Sequence, residues 1–198
     1  MSIIYFLKSA TVNISKYNIK DIPGSSGRFD VISRCVLSAI LNEKEIEKDI
    51  QIWIFLDNYG TYIFDSNYLN NETFPKNEIL LTDSFVGLIK NKNKTENQPK
   101  TLESVIYSEK SIFDAIREFT KRNYKIYVLN ESGNDYRKEF RKLKSNDNLL
   151  FLIGDQSGDF LIDNELKKMN LTNLSLGHRS YLASSTIRLI KINLQLLV

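Results

Sequence analysis

Two arginines and an aspartate follow a pair of glycines near the start of the chain. Gly24 and Gly27 bracket two serines, and Arg28, Asp30 and Arg34 come directly after them. A glycine turn that enters a helix leaves backbone N–H groups free at the helix N-terminus, and a flanking arginine can bind phosphate or the polar edge of a base. The segment therefore predicts a site for a phosphate or nucleobase ligand.

The same residues also fit a purely structural role. The glycines can form a turn, Asp30 can cap the helix that follows, and Arg34 can be its ion-pair partner four residues further along. Both interpretations stay open for this segment alone.

A second group of glycines lies near the C-terminus, directly after two apolar segments. Gly154 and Gly158 follow residues 149–153, and Gly177 follows residues 174–176. Two such turns at the ends of neighbouring strands would form a pocket in which backbone groups bind a ligand such as adenine, although simple turns are the alternative. Neither a G-x-G-x-x-G after the first strand nor a Gly-Lys-Ser/Thr occurs, so the pocket would be neither a Rossmann site nor a P-loop.

Strands and helices alternate along the chain and must position these groups. Apolar, β-favouring runs predict buried strands, and apolar residues at i, i+3 and i+4 predict helices. The predicted strands are residues 3–7, 50–56, 61–64, 124–129, 149–153 and 171–176, and the predicted helices are residues 32–40, 112–119, 135–144, 163–169 and 183–197. This order predicts an α/β fold, a mostly parallel sheet with helices on both faces, whose ligands bind beyond the carboxyl ends of the strands.

Length and composition limit the class of protein. The 198 residues, 42% of them hydrophobic, suffice for one substantial core, so we expect a single domain over residues 1–198. No apolar run approaches the length of a membrane-spanning helix, and Lys8 comes too early for a secretory signal, so we expect a cytoplasmic protein with no membrane partner.

One cysteine, Cys35, and one histidine, His178, cannot build a Cys/His zinc site, so no metal is expected. The net charge of +3 neither requires nor excludes RNA.

The two glycine segments together resemble the archaeal tRNA (pseudouridine-54 N1)-methyltransferases, the TrmY family of the SPOUT class. The resemblance covers nearly the whole chain. It rests on G-x-x-G-R-x-D-V-x-x-R-C-V at residues 24–36, on the Ile-Gly-Asp-x-x-Gly turn at residues 153–158, and on S-L-G and Y-L-A-S within residues 175–184. It implies a C-terminal trefoil knot, S-adenosylmethionine as cofactor, a tRNA substrate methylated at N1 of pseudouridine, and a homodimer that completes the active site.

The resemblance also implies roles for individual residues. The expected cofactor-binding residues are Leu129, Gly154, Asp155, Leu176, Gly177, Leu182 and Thr186. Asp30 and Arg28 are the expected catalytic pair, because a carboxylate beside an arginine stays ionised and can accept the N1 proton; a plain helix cap is the alternative for Asp30. Arg28 and Arg34 are expected to bind phosphate or carbonyl oxygens of the RNA, although Arg34 can be tied to Asp30 instead.

The chain departs from the family pattern at two places. Ser185 and Thr186 stand where His-Cys is expected, and Gln156 stands where His is usual, so a contact made by the cysteine must come from the Thr186 hydroxyl or be lost. Two alternatives therefore stay open: a small-subunit rRNA pseudouridine N1-methyltransferase, and a non-catalytic RNA-binding member of the fold. His178 is a further candidate for contact with substrate or cofactor, with an incidental loop residue as the alternative. The basic run at residues 137–144 is a candidate for RNA contact, with a solvated helix face as the alternative.

Overall fold

Apolar strands assemble into a seven-stranded sheet in the computed structural model, which describes residues 1–92, 100–154, 160, 163–177 and 179–196. The strands in chain order are β1 (Ile3–Ser9), β2 (Leu41–Asn42), β3 (Glu45–Ile46), β4 (Ile50–Leu56), β5 (Gly60–Asp65), β6 (Ile106–Ser108), β7 (Lys125–Asp135), β8 (Leu149–Ile153) and β9 (Thr172–Ser175). The sheet has the order β6-β5-β4-β1-β8-β7-β9, and β2 and β3 form a separate short hairpin.

The central part of this sheet is parallel. Strand β1 pairs in parallel with both β4 and β8, and β7 pairs in parallel with both β8 and β9. Strands β5 and β6 extend the sheet in the antiparallel sense beyond β4, as predicted for the hairpin partner of the second strand. The carboxyl ends of five parallel strands therefore meet at one edge of the sheet.

Helices cover both faces of the sheet, as predicted. They are α1 (Ile22–Ser25), α2 (Phe29–Ile40), α3 (Glu78–Lys90), α4 (Ile112–Lys121), α5 (Tyr136–Phe140), α6 (Asn164–Lys168) and α7 (Ala183–Gln195). Buried side chains of α2, α3 and α7 share one core with Tyr5 and Phe151, whereas those of α4 and α6 pack with Phe6 on the opposite face. Among the described residues, no helix combines the length and the apolar character needed to cross a bilayer.

Helix α7 is fixed to α2 by a buried lysine. Lys191 is 7% exposed, and its Nζ donates hydrogen bonds to the carbonyl oxygens of Ala39 (3.0 Å) and Leu41 (2.9 Å) at the C-terminal end of α2. A cation is favourable there because the last carbonyls of a helix have no partner within it. The contact orients α7 relative to α2, and both helices contribute to the site described below.

Several elements differ from the sequence prediction, and the short elements α1, β2, β3 and β6 are among those not predicted. Helix α3 was not predicted, because apolar residues fall on its exposed side as well, Ile79 and Leu80 being more than half exposed. The helix expected at residues 135–144 ends at Phe140 with Arg141 as its C-cap, although Leu143 beyond it still packs against the core. The strand expected to end at residue 129 continues to Asp135 through an irregularity.

The trefoil knot stays a prediction from the resemblance. The connections that follow β8 and β9 include residues 155–159, 161–162 and 178, which lie outside the described residues.

The turn that leads into α2 is tightly packed. Gly27 has a left-handed backbone (φ +62°), and a Cβ atom there would lie 1.9 Å from the Thr11 carbonyl oxygen. Arg28, also left-handed at φ 68°, is the N-cap, and the Ser26 hydroxyl accepts a hydrogen bond from the backbone N–H of Phe29 at 3.1 Å. Asp30 lies inside the first turn of the helix. The helix-cap interpretation of Asp30 is therefore wrong, because the chain places Arg28 at that position.

Replacing Gly27 by alanine should destabilise the protein. The left-handed strain and the clash with the Thr11 carbonyl together should lower the free energy of unfolding by about 2 kcal/mol or more. Urea unfolding measures this loss. Lys76→Ala, at an exposed loop position, is the control and should change stability by less than about 0.5 kcal/mol. Equal stabilities of the two variants would contradict the tight packing of this turn.

Candidate functional site

A cleft of about 1010 Å³ opens at the carboxyl edge of the parallel strands. Its walls come from the ends of β1, β7, β8 and β9, from the N-terminus of α2 and from the segment that leads into α7. This is the position at which parallel sheets bind their ligands, because the turns after several strands converge there.

Six residues expected to bind the cofactor line this cleft. They are Leu129, Gly154, Leu176, Gly177, Leu182 and Thr186. They come from four separate segments of the chain, and the fold brings them together. Asp155, the seventh, and His178 lie outside the described residues.

The walls combine apolar side chains with accessible backbone. Ile153 and Leu174 add to the leucines on the apolar wall. Gly177 has φ +120°, and a Cβ atom there would meet nothing within 4 Å, so a ligand can approach its backbone closely. The Ser175 hydroxyl fixes this turn, accepting a hydrogen bond from the Gly177 N–H at 3.2 Å. An apolar slot edged by backbone groups suits a flat, polar-edged ring such as adenine.

Of the arginines and the aspartate predicted near α2, only Arg28 reaches the cleft wall. Asp30 is 3% exposed, and its carboxylate is occupied by both arginines. Arg28 Nε donates to Asp30 Oδ1 at 3.1 Å and Arg28 Nη2 to Oδ2 at 3.2 Å, while Arg34 Nη2 donates to Oδ2 at 2.7 Å. Arg34 Nε also lies 3.3 Å from the Glu78 carboxylate. The three residues form one network, but its cleft-facing member is Arg28.

The network sets the charge state of Asp30. Burial alone would raise the pKa of its carboxyl group, but the hydrogen bonds and positive charges of Arg28 and Arg34 outweigh burial and hold the pKa below its ordinary value. A carboxylate with a lowered pKa and both oxygens occupied is a poor proton acceptor. This geometry favours a role for Asp30 in holding the Arg28 guanidinium rather than in contacting a ligand directly.

Several lining residues were not predicted from the sequence. Lys8, Glu131 and Arg179 also line the cleft, and Lys8 Nζ pairs with the Asp57 carboxylate at 3.1 Å. For Lys8 and Glu131 a signal was available, because they come one and two residues after the strands predicted at residues 3–7 and 124–129.

Cys35 is buried in the core, as predicted. It is 0% exposed, and burial raises the pKa of its thiol to about 12, so it is not a nucleophile at neutral pH. Within the described ranges, no three His, Cys, Asp or Glu side chains gather as a set of metal ligands would.

Comparison with known proteins identifies the family. The family model described as "Putative SAM-dependent RNA methyltransferase" matches residues 2–196. The chain therefore belongs to this family of RNA methyltransferases, whose methyl donor is S-adenosylmethionine.

Individual relatives are similar over most of the chain. A Pyrococcus abyssi protein is 29% identical, and the match covers 90% of this chain and 89% of that protein. A Thermococcus onnurineus protein is 25% identical, and the match covers 89% of this chain and 88% of that protein. Both are named tRNA (pseudouridine(54)-N(1))-methyltransferase. The crystal structure of Archaeoglobus fulgidus Nep1 bound to S-adenosylhomocysteine superposes with a TM-score of 0.65 at 14% identity, covering 100% of this chain and 99% of that one, and shows that the fold is shared.

Replacing Gly154 by valine should reduce cofactor binding. Gly154 follows β8 and lines the cleft, so a branched side chain there would occupy space that the ligand needs. We expect the Kd for S-adenosylhomocysteine, measured by calorimetry, to rise at least about tenfold. Thr186→Val is the matched comparison, because it removes a hydroxyl but keeps the shape of the wall. Unchanged affinity in the Gly154 variant would show that this turn does not contact the cofactor.

Proposed function

We propose that this protein transfers a methyl group from S-adenosylmethionine to N1 of the pseudouridine at position 54 in the T-loop of tRNA. The observation that carries the proposal is the set of relatives with this name, eight of which are 25–29% identical to the chain. The gathering of Arg28 and the strand-end turns in one cleft supports it, because a donor and a nucleobase must meet in one place.

The reaction requires little from side chains beyond position. When bound, S-adenosylmethionine supplies a methyl group on a sulfonium sulfur, which is reactive toward a ring nitrogen. The protein must hold the target base against this methyl group, and correct positioning of two bound reactants is worth roughly 7 to 11 kcal/mol. The base must leave its stack in the folded RNA to enter the cleft, because a stacked base is sterically blocked.

In this proposal Arg28 contacts the RNA, and Asp30 positions the Arg28 guanidinium. Arg28 is half exposed at the cleft, and Asp30 engages only its Nε and one terminal nitrogen. The remaining N–H donors of the guanidinium are available for a phosphate or carbonyl oxygen. Arg34, paired with Asp30 and Glu78, acts as a support for this arrangement. The N1 proton leaves to a cleft group or to water.

We further propose that the protein acts in the cytoplasm as a homodimer, as the resemblance implies. The C-terminal end of α7 presents two large apolar side chains to solvent. They are Ile192 and the C-cap residue Leu196, which are 53% and 78% exposed and lie four residues apart. A second copy of the chain would cover them. Light scattering should then give about twice the chain mass of 23.0 kDa, and a monomeric mass would contradict the dimer.

Methyl transfer to two tRNA transcripts tests the proposed reaction. The transcripts are identical except that one carries uridine and the other pseudouridine in the T-loop. Labelled methyl from S-adenosylmethionine should enter only the pseudouridine transcript, because only pseudouridine has a free N1–H, and mass mapping should locate the label at position 54. Equal labelling of both transcripts, or no label while the cofactor binds, would contradict the proposal that pseudouridine 54 of tRNA is the substrate.

A double-mutant cycle tests the role of Asp30. If Asp30 acts through Arg28, then Asp30→Asn, Arg28→Ala and the double variant should each lower kcat by a similar factor, about 10²-fold, instead of multiplying their effects. S-adenosylhomocysteine binding should be unchanged in all three. If Asp30 accepts the proton itself, the double variant should be slower than either single variant, and the acid limb of the pH profile should change in Asp30→Asn alone.

A further inference from the structure

Strand β7 contains an irregularity at the edge of the cleft. Leu129 and Asn134 both pair with Leu174 of β9, so four residues of β7, 130–133, have no counterpart in the neighbouring strand. Such bulges are frequent beside active sites, where they redirect a side chain. We call residues 130–133 the β7 bulge.

The β7 bulge is held at both ends by specific contacts. At its base, a Cβ atom on Gly133 would lie 2.6 Å from the Leu174 backbone nitrogen, so the close contact with β9 requires a glycine. At its start, Asn130 Oδ1 accepts hydrogen bonds from the Ser132 N–H at 3.0 Å and the Ser132 hydroxyl at 2.8 Å. With the Asn130 side chain bound within the turn, Glu131 is the charged group that the bulge presents.

Glu131 differs in charge from its surroundings in the cleft. Among the described residues that line the cleft it is the sole carboxylate, while Lys8, Arg28 and Arg179 are cationic. Glu131 is exposed, and no described residue forms an ion pair with it. The Glu131 carboxylate would repel an RNA phosphate, so it is suited to bind a cationic part of a ligand.

The position of Glu131 indicates whether it contacts the RNA or the cofactor. It follows Leu129 on β7, beside the Gly154 and Leu176 turns, whereas Arg28 enters the cleft from α2. We propose that Glu131 binds the ammonium group of the amino-acid portion of S-adenosylmethionine. The inference deepens the proposed function and rests only on its cofactor. A carboxylate and an ammonium form a charge-assisted hydrogen bond, which fixes the orientation of the amino-acid portion as well as adding affinity.

Binding of two ligands to Glu131→Gln tests this proposal without any methyl transfer. S-adenosylhomocysteine has the amino-acid portion, and 5′-methylthioadenosine lacks it but keeps the adenosine. By calorimetry at low salt, the substitution should raise the Kd of S-adenosylhomocysteine about tenfold and leave that of methylthioadenosine unchanged. The difference should shrink at high salt, because an exposed charge pair is screened.

Two further variants serve as controls. Glu109→Gln removes the same charge next to β6, at the opposite edge of the sheet, and should bind both ligands as the wild type does. Glu131→Asp keeps the charge and should restore part of the affinity for S-adenosylhomocysteine.

Three results would overturn the proposal. Equal weakening of both ligands in Glu131→Gln would show that the residue only shapes the bulge, and unchanged binding of both would show that it makes no contact. Normal binding with slower methyl transfer and an altered pH profile would make Glu131 a proton acceptor instead. Failure of the tRNA transcripts to be methylated, with the expected binding pattern intact, would overturn the tRNA substrate and leave the role of Glu131 standing.

Discussion

The parallel pairing of β1 with β4 on one side and β8 on the other is the interaction on which the rest of the structure depends. It places Ile3 opposite both Ile50 and Leu149 and continues along the length of the strands, so their carboxyl ends share one edge. Since every one of these strands is followed by a turn at that edge, the cleft walls are set by the register of the sheet. A slip of one residue would turn each buried side chain to the opposite face.

The polar network around Asp30 illustrates how a charged group is kept functional near a core. Removing a carboxylate from water is costly unless its oxygens are paired, and Asp30 has partners for both. The same pairing limits the rotamers of Arg28, which is otherwise a long and flexible side chain. The arrangement therefore orients a guanidinium at the cleft in advance, and in the RNA-binding role proposed for Arg28 less conformational entropy would be lost on binding.

The side of the cleft expected to bind the cofactor depends more on backbone than on side-chain chemistry. Gly177 leaves space for close approach, and Gly133 allows the β7 bulge to contact β9. This explains how Thr186 can stand where the family is expected to carry cysteine, because a hydroxyl on the first turn of α7 changes one contact and leaves the shape of the wall. The buried Lys191 fixes the helix that carries it.

The sequence by itself determined the strands with continuous apolar runs, such as β8, the Ser111 cap of α4, the alternation that gives a parallel sheet, and the resemblance that led to the family. These depend on local patterns of a few residues. Only the tertiary structure decided that Asp30 is buried, that α3 is a helix, and that Glu131 reaches the cleft through a bulge opposite Leu174. Those features depend on contacts between segments far apart in the chain, and the periodicity of a single segment carries no information about its distant neighbours.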